Sequence, residues 1–447
     1  MRIDLPTEDR TMPPSALQDL PSDAPAASVP EPAPAPAPRL RLKPHQPSAY
    51  RIPELNGLRV LLVFIVSWYH FWQQSWLTPS IGAYSLDFLV RAGYVPVDGT
   101  ILLSGFLLFL PHARAMLLGE SVPDLRTFYQ KRVMRIVPSY YFVTLLMLFA
   151  VALPYNLYWR ESDMWRDVVM HLTFTQTFNY STYIATPIGV ASWTIAIEMQ
   201  AYLIFPLLAK SARKNPAGTF GFMMAAALGF RCWCLWSMTD YNMVVNQLPN
   251  FLDVYAMGMG AALLYVKLTT LWPKDNRSQS LWRLLATCLL ILALWGLVQT
   301  LRAQAGSPPS ALQSGQMVRR PLFALLLGMV TLSLPFAVRP VRFLMGNRLM
   351  GFLAMVSMNY YLLHQNIAVF LKQRIQFPPA VNYPYPNMAP GGPEQPWADQ
   401  YTTLCFGVSL LLAIAVTFLI EKPCAWLLGK GFKKLTHSAR RSQTNNS

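Results

Sequence analysis

An arginine and a histidine share one apolar run. Arg59 and His70 lie eleven residues apart within LRVLLVFIVSWYHFWQQSWL. At about 100° per residue, eleven steps end about 20° past three full turns. The two side chains therefore share one helix face, about 16 Å apart along its axis. An ionisable group in a membrane-length run is a functional candidate by default. The plainer alternative is a snorkelling arginine and a hydrogen-bonded packing histidine. Imidazole titrates near neutrality, which suits taking a proton from a hydroxyl and returning it to a leaving group. Glu198 is the second candidate, in Trp193-Thr-Ile-Ala-Ile-Glu-Met-Gln-Ala-Tyr202, with Tyr202 one turn on. A lone carboxylate there must be protonated, paired or beside a wet cavity. Arg132 and Arg135, with Lys131 beside them, sit at i, i+3 and face one way, as a forked grip on phosphate requires. An ordinary basic flank explains any one of them equally well.

The remaining polar groups are weaker signals. Asp98 and Ser104 fall in VDGTILLSGF, where small residues usually mean close helix packing or a break. His364 closes Ser357-Met-Asn-Tyr-Tyr-Leu-Leu-His, which includes Tyr361, and a lone helical histidine is more often structural. Arg231 and Asp253 are a possible buried pair, and Glu421-Lys-Pro reads as an ordinary span terminus. The five cysteines lie in or beside apolar runs, with no second pair at zinc spacing, so no metal is expected. Walker, dinucleotide and Gly-x-Ser-x-Gly signatures are absent.

The elements that must position these residues are set by composition. Of 447 residues, 53% are hydrophobic and 13% charged, against about 25% charged in a soluble domain. Ten apolar segments run approximately over 57–76, 93–112, 138–158, 187–209, 218–238, 249–266, 281–301, 321–338, 349–371 and 402–421. The reading is an all-α, polytopic transmembrane helical bundle of about ten spans. The second and fourth carry polar groups that permit a break, and the sixth is short. With the N-terminus inside, 25 Lys and Arg fall on inner segments and 8, Arg319 and Arg320 among them, on outer loops. That split predicts both termini in the cytoplasm. The net charge of +16 follows this alternation, which argues against nucleic acid as a partner. Residues 1–50 hold 12 of the 37 prolines and read as a disordered cytoplasmic tail rather than a signal peptide. Residues 51–428 read as the membrane domain and 429–447 as a basic tail. The proline-rich insert at 377–396 is expected to face outward.

In this order, the motifs resemble the acyltransferase-3 family of integral-membrane acyltransferases. Leu55-Asn-Gly-Leu-Arg59 and His70 look like its Leu-Asp-Gly-Leu-Arg opening and Arg-x10-His motif, with Asn56 where Asp is usual. Gly93 to Phe106 resembles its glycine–valine–aspartate stretch leading to Phe-x-Leu-Ser-Gly-Phe. Arg132-Val-Met-Arg135-Ile-Val-Pro-Ser-Tyr is similar to its Arg-x-x-Arg-Ile-x-Pro-x-Tyr. Trp193 to Tyr202, followed by Phe205-Pro206, looks like Trp-Ser-Leu-x-x-Glu-x-x-x-Tyr. Ser357 to His364 resembles Ser-Tyr-x-x-Tyr-Leu-x-His, with Met358 a departure, and Glu421-Lys-Pro423 matches the usual end. The resemblance covers roughly residues 52–425.

The resemblance implies acyl transfer, usually O-acetylation, from acyl-CoA to a hydroxyl. Envelope or exported carbohydrates are the typical acceptors, and a multi-pass protein of the bacterial cytoplasmic (inner) membrane is the expected setting. On the residues, Arg59, Arg132 and Arg135 are the acyl-CoA-binding candidates. His70 is the candidate base, and Glu198 is expected to orient it as the acid does in a triad. Asp98, Ser104, Trp193, Tyr202, Tyr361 and His364 are supporting candidates. Direct transfer and an acyl-histidine relay both remain open. A proton-coupled transporter or flippase using Glu198 and His70 is the alternative function, and a non-enzymatic scaffold a third.

Overall fold

The computed structural model describes residues 51–374 and 397–432. The expectations for residues 1–50, the insert at 377–396 and the end of the basic tail fall outside those residues. Ten long helices carry the chain: α1 Glu54–Ser75, α2 Val97–Leu118, α3 Leu125–Met147, α4 Trp193–Lys214, α5 Pro216–Ser237, α6 Leu252–Thr270, α7 Asn276–Ala305, α8 Leu312–Ser333, α9 Arg348–Arg374 and α10 Ala398–Val416. One two-stranded hairpin, Ser80–Ile81 with Tyr84–Ser85, is the only sheet among the described residues.

Nine of the long helical stretches are apolar enough to cross a membrane. The tenth, α9, has 27 residues, about 40 Å of helix. Its hydropathy is diluted by Asn359, His364, Gln365 and Asn366, and the first two are buried within the bundle. The chain is therefore an all-α multi-pass membrane protein, and its ten long helices match the ten predicted segments.

The helices run alternately up and down between two ends. Glu54 at the start of α1 bonds Arg342 just before α9 at 2.8 Å, which fixes one end. Ser75 at the finish of α1 meets Thr402 near the start of α10, which fixes the other. Helices α3, α5, α7 and α9 begin at the first end behind side-chain caps. Asp124, Asn215, Asp275 and Asn347 accept from the backbone N–H of Thr127, Gly218, Ser278 and Met350. Each cap satisfies an amide that has no intrahelical partner. Helices α2, α4, α6, α8 and α10, starting at the second end, have no such cap.

Close packing is set by glycine where α2 crosses α6. A methyl group on Gly105 would lie 2.6 Å from the Tyr255 carbonyl oxygen, and one on Gly258 would strike the Leu102 carbonyl. Small residues permit this approach of backbones. Elsewhere α1 packs on α9, α9 on α10 and α7 on α8.

Several boundaries differ from the sequence reading. Neither α2 nor α4 is broken, although Pro111 and Pro206 lie inside them. Pro138 falls inside α3 instead of at its start, so Arg132 and Arg135 belong to the span and not to a flank. Helix α8 begins at Leu312, ahead of Pro321, and Arg320 is a core residue 1% exposed rather than a loop charge. Neighbouring helices re-satisfy the backbone groups that a proline frees, so an internal proline need not mark a terminus. Two π-turns, Leu148–Ala152 and Thr417–Glu421, extend α3 and α10.

Candidate functional site

One face of α1 runs through two cavities. Arg59 and Val63 line the first, and Val66 and His70 line the second. These four positions at i, i+4, i+7 and i+11 form a single stripe, as the eleven-residue spacing predicts. The first cavity has a volume of about 140 Å³ and the second about 410 Å³. Tyr361 of α9 lines both.

The first cavity is cationic. Arg59, Arg132 and Arg135 surround it with Glu198, Ser104 and Tyr202. Among the described residues neither Arg59 nor Arg132 has a carboxylate within ion-pair distance. The Arg132 guanidinium lies 5.7 Å from the Phe128 and Tyr202 ring centres, and its buried Nε has no hydrogen-bond partner. Arg135 stands 3.7 Å from Glu421, which also accepts from Asn359 Nδ2 at 2.7 Å. Glu421 closes the π-turn, so the predicted span terminus stands behind the wall and pairs with one of its arginines. Lys131 is exposed and does not line the cavity. Three guanidiniums facing one cavity carboxylate make a site for an anion with several oxygens.

Glu198 belongs to this cationic cavity and not to His70. Its Oε1 accepts from Ser104 Oγ at 3.0 Å and its Oε2 from Tyr202 OH at 3.1 Å. Helical phase explains the placement. Thr194, Glu198 and Tyr202 form an i, i+4 stripe on the arginine side. Trp193, about 140° round from Glu198, faces the second cavity instead. The expected carboxylate–histidine pair is thus replaced by a serine–carboxylate–tyrosine cluster.

The partner of His70 is Gln73, which sequence reasoning missed. Gln73 Nε2 donates to Tyr69 OH at 2.7 Å, and its Oε1 lies 2.9 Å from His70 Nδ1. In that network His70 Nδ1 carries the proton and Nε2 is left with a lone pair, the form a base requires. The signal was present as an i, i+3 polar pair inside an apolar helix. His364 packs against His70 with ring centres 5.1 Å apart. Its Nδ1 donates to the Tyr361 carbonyl at 2.6 Å, and its buried Nε2 has no partner.

Asp98 is held by an arginine from another span. Arg320 Nε donates to its Oδ2 at 3.0 Å, and the same guanidinium donates to the Val245 carbonyl and sits 4.1 Å from the Phe251 ring centre. Beside this pair, Arg231 grips Asp253 through two hydrogen bonds of 2.6 and 2.7 Å. Two desolvated ion pairs so placed lock α2, α5, α6 and α8 together. Asp98 lines the second cavity, but its charge is paired with Arg320.

Residues 52–422 match the acyltransferase domain that defines this family of membrane proteins. The chain belongs to the acyltransferase-3 family. Similarity to characterised members is partial. The acyltransferase MdmB of Streptomyces mycarofaciens is 25% identical over 173 residues, 38% of this chain and 42% of that protein. The O-acetyltransferase OatA of Staphylococcus aureus is 27% identical over 171 residues, 35% of this chain and 24% of that protein. The matched stretch thus covers less than half the length of either relative. No solved structure matches. Among the described residues no group of His, Cys, Asp and Glu could hold a metal ion.

Proposed function

We propose that the protein is an O-acyltransferase of the bacterial cytoplasmic (inner) membrane that moves an acyl group, acetyl first among candidates, from acyl-CoA to a carbohydrate hydroxyl. The observation that carries this reading is the stripe on α1. It joins a cationic cavity to a histidine-bearing cavity along one helix, with about 16 Å between Arg59 and His70. The arginine-lined end is the cytoplasmic one, as the distribution of Lys and Arg favours.

The phosphates of CoA bind among Arg59, Arg132 and Arg135, where charge-assisted hydrogen bonds are strongest. The neutral pantetheine arm then runs along α1 past Tyr361 and presents the thioester near His70. The acceptor hydroxyl attacks the thioester carbonyl while His70 Nε2 takes its proton. A carbon–oxygen bond forms, the carbon–sulfur bond breaks, and the proton passes from imidazolium to the CoA thiolate. Gln73 holds His70 in the required tautomer. Glu198 tunes the arginine cavity and takes no part in the proton transfer.

The test is the purified protein in liposomes supplied with acetyl-CoA labelled on the acetyl group and a panel of envelope sugars. Label capture in wild type that disappears in His70→Ala, with CoA still bound, is the expected result. Near-normal turnover by His70→Ala removes the assignment.

A further inference from the structure

The second cavity has a lining that the transfer chemistry does not use. Beyond His70 and Tyr361, its walls carry the amides of Asn242, Asn246, Gln313 and Gln316 and the rings of Tyr94 and Trp193. These come from four separate parts of the chain, Tyr94 from the segment ahead of α2. The segment between α5 and α6 supplies the asparagines, the first turn of α8 supplies the glutamines, and Trp193 opens α4.

Gln316 is 8% exposed, lines the cavity, and its side-chain amide has no hydrogen-bond partner among the described residues. Its amide faces the open cavity and is therefore available to hydrogen-bond whatever occupies that space. Its neighbours are partly committed and keep capacity to spare. Gln313 donates to Asn242 Oδ1, which leaves the Asn242 amide N–H groups free. Tyr94 OH accepts from Gln304 at 2.6 Å and keeps its own proton to donate. Asn246 spends one N–H on Tyr183 OH at 3.0 Å. The cavity therefore offers several neutral donors and acceptors beside aromatic faces.

Its charge is equally informative. The only formal charge lining it is Asp98, already paired with Arg320. No cation lines it, whereas the neighbouring cavity has three. An anionic acceptor would meet no unpaired cation in this lining, an arrangement that disfavours it.

We infer that this amide-lined cavity is the acceptor subsite, and that it selects uncharged polyhydroxyl acceptors, with Gln316 as the buried hydrogen-bonding contact and Trp193 as the ring platform. The inference rests on the acyltransferase reading and narrows it to neutral sugars over uronic, sialic or phosphorylated ones.

The experiment uses native membranes containing the full chain, fed acetyl-CoA labelled on the acetyl group. Captured label is separated by charge on an anion exchanger, and turnover is compared for wild type, Gln316→Leu and Asn242→Leu. The expected result is label in the unretained, neutral fraction. Gln316→Leu should raise the acceptor KM tenfold or more and leave the donor KM unchanged, which also shows that the variant is folded. Asn242→Leu, at an exposed position where misfolding is not a concern, should raise the acceptor KM by a smaller factor. Label in the retained, anionic fraction overturns the inference, as does an unchanged acceptor KM in both variants, and in either case the acyltransferase reading survives. No label captured by wild-type membranes removes both readings together.

Discussion

The two cavities along α1 differ in almost every physical respect. One is small, about 140 Å³, and holds three arginines of which two have no ion-pair partner among the described residues. The other is about 410 Å³, and its lining is neutral apart from a paired Asp98. Placing positive charge in a confined, poorly solvated site is expensive and is retained where an anion is bound. Neutral amides and rings cost little to desolvate and discriminate by hydrogen-bond geometry. The contrast fits the proposed division of labour, with the charge of the donor at one end and the hydroxyls of the acceptor at the other. His70 lies on the amide-lined side of Tyr361.

The largest effect that bears on this division is at His70. His70→Ala is expected to lower label transfer by at least about a thousandfold. CoA affinity, measured by calorimetry in detergent, should stay within about threefold. A large fall in CoA affinity would mean that the two cavities do not act separately.

Next in size is the ion pair between them and the outer helices. Asp98→Asn leaves Arg320 buried and unpaired, and a loss of stability on the order of 3–5 kcal/mol is expected. Thermal unfolding in detergent measures it, and Asp98→Asn combined with Arg320→Gln should recover part of the loss. A single variant as stable as wild type would show that the pair is solvated and not a clamp.

The arginines come third. Arg132→Ala and Arg135→Ala should each raise the donor KM by roughly ten- to a hundredfold, the equivalent of one charge-assisted hydrogen bond. The acceptor KM should not move. Arg132→Ala is expected to cost more, because Arg135 already shares its charge with Glu421. A change in kcat at constant donor KM would place the arginines in the chemistry instead of in binding.

The smallest effect sharpens the assignment of the base. Gln73→Leu removes the acceptor of the His70 Nδ1 proton, and kcat should fall about tenfold with both KM values held, as loss of one neutral hydrogen bond implies. Gln73→Glu, which keeps an acceptor, should retain more activity than Gln73→Leu. Equal activity in all three proteins would remove Gln73 from its positioning role.

Much of this was legible in the sequence because it is local. Composition and twenty-residue apolar runs determine that the chain is a helical membrane bundle, and the ten segments correspond to ten helices. The Arg59–His70 stripe follows from 3.6-residue periodicity alone, and the Ser357–Glu421 motifs mark the right helices. Boundaries were lost where proline or charge suggested a flank. Pro138 and Pro321 lie inside helices, so Arg132, Arg135 and Arg320 are helix residues rather than flank or loop charges.

What the tertiary structure alone decided is which polar groups meet. A helix period states which face a residue shares on its own helix, and it is silent about the helix opposite. Glu198 therefore meets Ser104 of α2 beside its own-helix partner Tyr202, not His70. Asp98 finds Arg320 at a distance of 222 residues in the chain. Glu421, at the end of a π-turn, finds Arg135 of α3. Gln316 stands in a segment with no apolar run to mark it, and only packing of α8 against the asparagine segment turns it into a cavity wall. Sequence determines where a charge is too costly to be incidental; the packing of one helix against another determines what offsets it.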